Sequence, residues 1–185
     1  MIRKKAFWIF CVTALALAFG CSTIEPTTLM NRDGGNVVRF FNPETGLRAE
    51  IRIAPAYAFL REANTTVNGV ALQGPVYANG DDYVLVTELS QDGFSRLGGE
   101  VKPSGRAVRP LDTEPTLQTE FCLLNFAKAA AMGDDVVGAV FMRDLSAGAT
   151  NATCPWRSLE ELEQDRPGML EAYKETAAEA VTTSW

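Results

Sequence analysis

Two short triplets carry the residue types best placed to do chemistry. Gly80-Asp81-Asp82 and Gly133-Asp134-Asp135 each set paired carboxylates at the entry to an apolar run, "YVLV" and "VVGAV". If those runs are neighbouring strands, Asp81, Asp82, Asp134 and Asp135 could gather at one sheet end. Such a cluster could hold Ca²⁺, or raise one carboxyl pKa by like-charge repulsion for acid–base work on a glycan. The plainer reading is that Gly-Asp is turn chemistry and that Asp solvates a strand's first residues.

Other routes to catalysis are closed or thin. The 185 residues include no histidine, which removes Ser-His-Asp and Cys-His arrangements, HExxH zinc sites and histidine acid–base catalysis. Neither a Gly-rich phosphate loop nor an EF-hand pattern occurs. Lys102 and Ser104 are close enough in sequence to suggest a Ser-Lys dyad, but Pro103-Ser104-Gly105 reads as a turn. No metal site and no cofactor is expected.

The N-terminus says more. "MIRKK" is basic, and "AFWIFCVTALALAFG" (residues 6–20) is an apolar run of 15. A spanning helix wants about 20 apolar residues to cross roughly 30 Å of hydrocarbon, so this run suits a secretory signal better. "ALALAFGCS" resembles the lipobox of bacterial lipoproteins through Gly20 and Cys21, although Phe19 stands where a small residue is usual. The resemblance implies that Cys21 is acylated, with chains such as palmitate, and becomes the new N-terminus. By the same likeness Ser22 permits the inner leaflet of the outer membrane in a Gram-negative cell. Ala18 and Gly20 also satisfy ordinary small-x-small cleavage, which would leave Cys21 a free thiol, and an uncleaved anchor is the other alternative.

Cysteine parity bears on that choice. Cys11 leaves with the signal, so Cys21, Cys122 and Cys154 would be exported, and an odd number leaves one spare. Lipidating Cys21 removes the spare and leaves Cys122 to pair with Cys154; two buried free thiols are the alternative. Two cysteines without histidine make a poor structural zinc site.

Charge narrows the partners. The whole chain carries −6; losing residues 1–20 removes Arg3, Lys4 and Lys5, so 14 of the 17 basic residues face 23 acidic ones, a net −9. A body that acidic is repelled by nucleic-acid phosphates and by anionic headgroups, and nucleic acid is not an expected partner.

The elements expected to position these residues begin after a polar stretch, 21–35, that reads as a flexible tether. "NVVRFFNPETGLRAEIRIAP" predicts two strands around a turn at Asn42 to Gly46, with Leu47, Ala49, Ile51 and Ile53 alternating against charge. "PAYAFLREA" fits either a short helix or a strand. Asn68-Gly69 and Asn79-Gly80 predict a β-meander over 64–89, and "EVKPSGRAVRPL" a further hairpin. Leu117, Phe121, Leu124, Ala127 and Ala131 form one helical stripe, with Leu123, Phe126 and Ala130 a second. That spacing predicts a buried helix over about 116–132, ended by Gly133. "DVVGAVFMRD" reads as a buried strand. "SLEELEQD" opens a C-terminal helical region with a Ser158/Glu161 capping box, interrupted at Pro167, and Leu170, Tyr173, Ala177 and Val181 share one face of its second part. Trp156 and Trp185 read as packing residues or surface anchors.

The whole is an α+β fold: an antiparallel sheet packed against the 116–132 helix, with the C-terminal helices as further cover. Residues 1–20 are the signal peptide, 21–35 the tether and 36–185 one domain. The expected function is that of a membrane-anchored, non-catalytic accessory or scaffold in the cell envelope, holding a protein partner beside the bilayer. A carboxylate-dependent envelope hydrolase is one alternative. A small-ligand or lipid carrier is another, and it needs an apolar cavity between sheet and helix.

Overall fold

The computed structural model describes residues 26–67, 69–96, 107–111, 113–146 and 154–185. Alternation is the local signal that builds the first sheet. In β2 (Val37–Phe41) and β3 (Arg48–Ile53), Val38, Phe40, Ala49, Ile51 and Ile53 point inward while the arginines between them face water. Asn42 makes the turn that joins them, its side-chain oxygen accepting from the amides of Glu44 and Thr45. On one side of this pair lies β1 (Leu29–Arg32), and on the other β11 (Val181–Ser184), giving a four-stranded antiparallel sheet ordered β1-β2-β3-β11.

The stretch that fitted helix or strand is a strand, β4 (Ala58–Val67), followed by β5 (Val70–Asn79) and β6 (Asp82–Ser90) in the expected meander. Gly69 and Gly80 hold φ of 76° and 61° at its two turns, which is why glycine follows asparagine there. A short helix, α1 (Gln91–Arg96), packs on β5, β6 and β10 (Asp135–Asp144). The second sheet runs β4-β5-β6-β10-β9-β7, with β7 at Val108–Leu111, β9 at Leu123–Met132, and β8 (Thr116–Gln118) also paired to β9. The remainder of the hairpin expected in 100–111, with Lys102 and Ser104, lies outside the described residues.

The expected helix over 116–132 is therefore corrected: this stretch is β8, a turn at 119–122 and β9, and Gly133 turns a hairpin with φ 72° instead of ending a helix. A run apolar on all sides fits a central strand buried on both faces as well as it fits a buried helix. Leu124 and Met132 enter the main core, whereas Ala129 and Ala131 are buried on the other face of the sheet. Close approach of β9 and β10 also favours small residues. A Cβ on Gly138 would stand 2.7 Å from the Lys128 carbonyl oxygen. Tertiary pairing thus overrides the helix preference of an alanine-rich segment.

What covers the core instead is the other sheet together with the C-terminal helices. Val38, Phe40 and Ile51 share one apolar cluster with Tyr77, Val84, Val86, Leu124, Val137 and Phe141. Helices α2 (Leu159–Asp165) and α3 (Met169–Ala180) close it with Leu162, Tyr173, Ala177 and Ala180. The Ser158 hydroxyl accepts from the Glu161 amide as expected, and the Glu161 carboxylate reaches back to the Arg157 amide. Past Pro167, Glu163 accepts from the amides of Gly168 and Leu170, supplying the cap that Gly168 lacks. Val181 does not extend the helix but begins β11, and Lys128 donates to the Ala178 and Val181 carbonyls at that helix end. Among the described residues no helix is long and apolar enough to cross a membrane.

Candidate functional site

The two Gly-Asp-Asp triplets do not meet. Their strands β6 and β10 are neighbours, but antiparallel: Asp135 stands opposite Ser90, and Asp82 opposite Arg143. Eight residues of strand separate the two ends, about 27 Å at roughly 3.4 Å per residue. Among the described residues, no three carboxylate or cysteine side chains converge as a metal site would require. Each triplet instead has its own partner. Asp82 forms a forked pair with Arg143, at 2.6 and 2.9 Å, and Arg143 lies 5.4 Å from the Tyr173 ring centroid. With Asp81, Asp144, Arg166 and Met169 they line an open cleft of about 370 Å³. The Asp82 bond raises the Arg143 pKa, and burial lifts that of nearby Tyr57 to about 12, so the arginine and the phenol both keep their protons at neutral pH.

Asp135 does something the sequence did not announce. Only 3 % exposed, it accepts four hydrogen bonds on one oxygen: from the amides of Thr27 and Thr28 at 2.9 and 2.7 Å, and from their hydroxyls at 3.0 and 2.8 Å. Asn42 completes the cage, donating to the Thr28 hydroxyl and the Met132 carbonyl, both at 3.2 Å. A buried carboxylate is tolerable because these donors replace its water shell. The stretch 21–35, expected to be a free tether, is thus docked from residue 27 onward, and its Leu29–Arg32 part is strand β1. By sequence Thr27 and Thr28 are simply part of the polar 21–35 stretch. Their partner lies 107 or 108 positions away, and no local pattern marks such a contact.

Beside this clamp sits Glu88, with one carboxylate oxygen buried and unpartnered. Burial, and then the nearby Asp135, push its pKa up to about 7. A raised carboxyl pKa means that the fold prefers the protonated form. Glu88 therefore contributes stability fully below its ordinary value near 4.5 and loses it as pH rises through about 7. Glu88→Gln, which copies the protonated shape, should leave stability unchanged near pH 4.5 and raise it by about 1–3 kcal/mol at pH 8. Urea unfolding at both values checks this, and a Gln variant weaker than wild type at pH 8 contradicts it.

On the outer face of the four-stranded sheet, next to the clamp, a row of side chains crosses three strands. Leu29 pairs with Phe41, and Phe41 with Arg48. Leu29 is 60 % and Phe41 38 % exposed, and the Arg48 guanidinium lies 5.2 Å from the Phe41 ring centroid. Together with Trp185 they line an open depression of about 560 Å³. Neighbouring cations are already committed: Arg39 to Asp33 and Glu50, Arg52 to Glu50.

Of the cysteines singled out, Cys21 lies outside the described residues. Cys122 and Cys154 are brought together as a disulfide with a Cα–Cα distance of 4.8 Å. It ties the residue entering β9 to the segment that leads into α2, where Trp156 packs in the core. No protein-family profile, curated protein or solved structure matches this chain.

Proposed function

We propose that this chain is a lipid-anchored accessory protein of the cell envelope, a non-catalytic module that holds or binds a protein partner beside the bilayer. Its reading rests on the basic-then-apolar N-terminus with Gly20-Cys21, on a disulfide suited to an oxidising compartment, and above all on the clamp. An anchor confers position on a head only when the link between them is short. Here Asp135 fastens the chain six residues after Cys21, so the head follows the anchor closely. The separated carboxylates take away the constellation that a hydrolase needed. The carrier reading called for a cavity beneath a helix at 116–132; that stretch is strand, and Phe40, Tyr77, Phe141 and Tyr173 fill the core beside it.

The test is the mass of the first tryptic peptide of the mature protein, Cys21 to Arg32. It should carry a diacylglyceryl group and an amide-linked acyl chain. Cys21→Ala should move the protein from the membrane to the soluble fraction by about tenfold or more, since several acyl chains hold firmly where none hold at all. An intact Met1 on a soluble protein would refute the proposal.

A further inference from the structure

We infer that the row Leu29, Phe41 and Arg48, with Trp185 beside it, is the face on which the head rests against its own bilayer, Arg48 meeting the phosphates of anionic phospholipids. This inference deepens the proposed anchoring and rests on it. Distance supplies the first argument. Six residues join Cys21 to Thr27, and whatever their conformation they reach no further than about 21 Å. The lipid headgroup layer itself takes up roughly 5–7 Å of that reach. Leu29 directly follows the pinned Thr28, and its strand neighbours Phe41 and Arg48 are aligned with it, so this rung adjoins the point where the chain is pinned.

Chemistry supplies the second argument. An exposed leucine, a half-exposed phenylalanine and a tryptophan around one depression suit the boundary between headgroup and acyl chain. Arg48 stacks on Phe41 and has no carboxylate partner among the described residues, in contrast to Arg39 and Arg52. Its charge is therefore available for a phosphate. The mature chain carries −9, so an anionic surface repels it as a whole, and close contact favours a face that joins a free cation to apolar side chains.

The experiment reconstitutes the mature full-length lipoprotein into phosphatidylethanolamine/phosphatidylglycerol vesicles, with and without brominated acyl chains, and reads tryptophan emission. Trp8 leaves with the signal and Trp156 is 6 % exposed, so Trp185, half-buried where it packs against the core and lines the depression, is the reporter on this face. Brominated lipid should quench the Trp185 component, isolated by difference from Trp185→Phe, by about half, as expected of a ring at the interface. Changing Leu29→Ser, Phe41→Ser and Arg48→Glu together, all at exposed positions, should reduce that quenching at least about threefold while the acyl chains keep the protein on the vesicle. Trp185 emission equal in brominated and plain vesicles overturns the inference, as does a triple variant quenched like wild type. A Trp185 shielded from acrylamide yet untouched by brominated lipid also overturns it, because a protein then covers the face. The peptide mass separates the two claims: an acylated Cys21 with unquenched Trp185 sinks this inference alone, whereas an unacylated Cys21 sinks the anchoring and this inference with it.

Discussion

Asp135→Ala should lower the stability of the domain by about 3–5 kcal/mol and release residues 26–32 from the sheet edge. The carboxylate accepts two amide and two hydroxyl donors, and Thr28, the inner of the two threonines, is 2 % exposed. Alanine leaves the Thr28 amide and hydroxyl without that acceptor, and each unsatisfied buried group costs about 1–3 kcal/mol. Asn42 is then left donating into a loosened cage. The effect is local in onset: amide hydrogens of β1 should exchange at least tenfold faster than those of β9 relative to wild type, because among the described residues β1 pairs only with β2. Asp135→Asn keeps one acceptor oxygen and should cost less. Removing the Asp135 charge also relieves the second cause of the raised Glu88 pKa, so the stability gain of Glu88→Gln at pH 8 should shrink in the Asp135→Asn background. Equal gains in both backgrounds would show that the two carboxyls do not communicate.

Opening the Cys122–Cys154 bridge should be comparably damaging. Its sequence separation is 32, and a loop of that length adds about 3–4 kcal/mol by restricting the unfolded chain. For a domain of this size that corresponds to a fall in Tm of roughly 7–15 °C. The double variant Cys122→Ser/Cys154→Ser and the wild type treated with dithiothreitol should fall by similar amounts. The double variant should show no further change on reduction. The bridge fastens the Cys122 turn, whose carbonyl also accepts from the Leu145 amide, to the segment holding Trp156 and α2. Its loss should therefore loosen α2 and the N-terminal end of β9 before the meander β4–β6. A wild type whose Tm ignores reductant would mean that these sulfurs do not form a bond in the folded protein.

Much of the architecture could be read from short-range pattern. The Asn42 turn, the two Asn-Gly hairpins, the period-two alternation of β3 and the Ser158/Glu161 cap are each set by residues within a few positions of one another. Such features survive translation from sequence to structure because the interacting groups are neighbours along the chain. The stretch 116–132 failed for the opposite reason. Its apolar residues satisfy a helical stripe, yet those of 123–132 are equally at home in a strand with neighbours on both faces, while Phe121 falls in the turn before it. Only the presence of β10 on one side and β7 and β8 on the other chose between them.

The same division applies to the sites. Cys122 and Cys154 do stand together as a bonded pair, 32 positions apart, as a count of the thiols expected. That two identical Gly-Asp-Asp triplets act apart was not legible. Sequence gives the carboxylates but not the direction of the strands that carry them, and antiparallel pairing sends the two ends about 27 Å apart. Sequence alone determined the acidic charge, the absence of histidine and the turns, because these follow from composition and from neighbours in the chain. Tertiary structure alone decided that β9 is a strand, that Asp135 grips Thr27 and Thr28, and that Leu29, Phe41 and Arg48 stand in one row. Each of those is a contact between residues far apart in sequence, and its free energy exists only once the strands have closed.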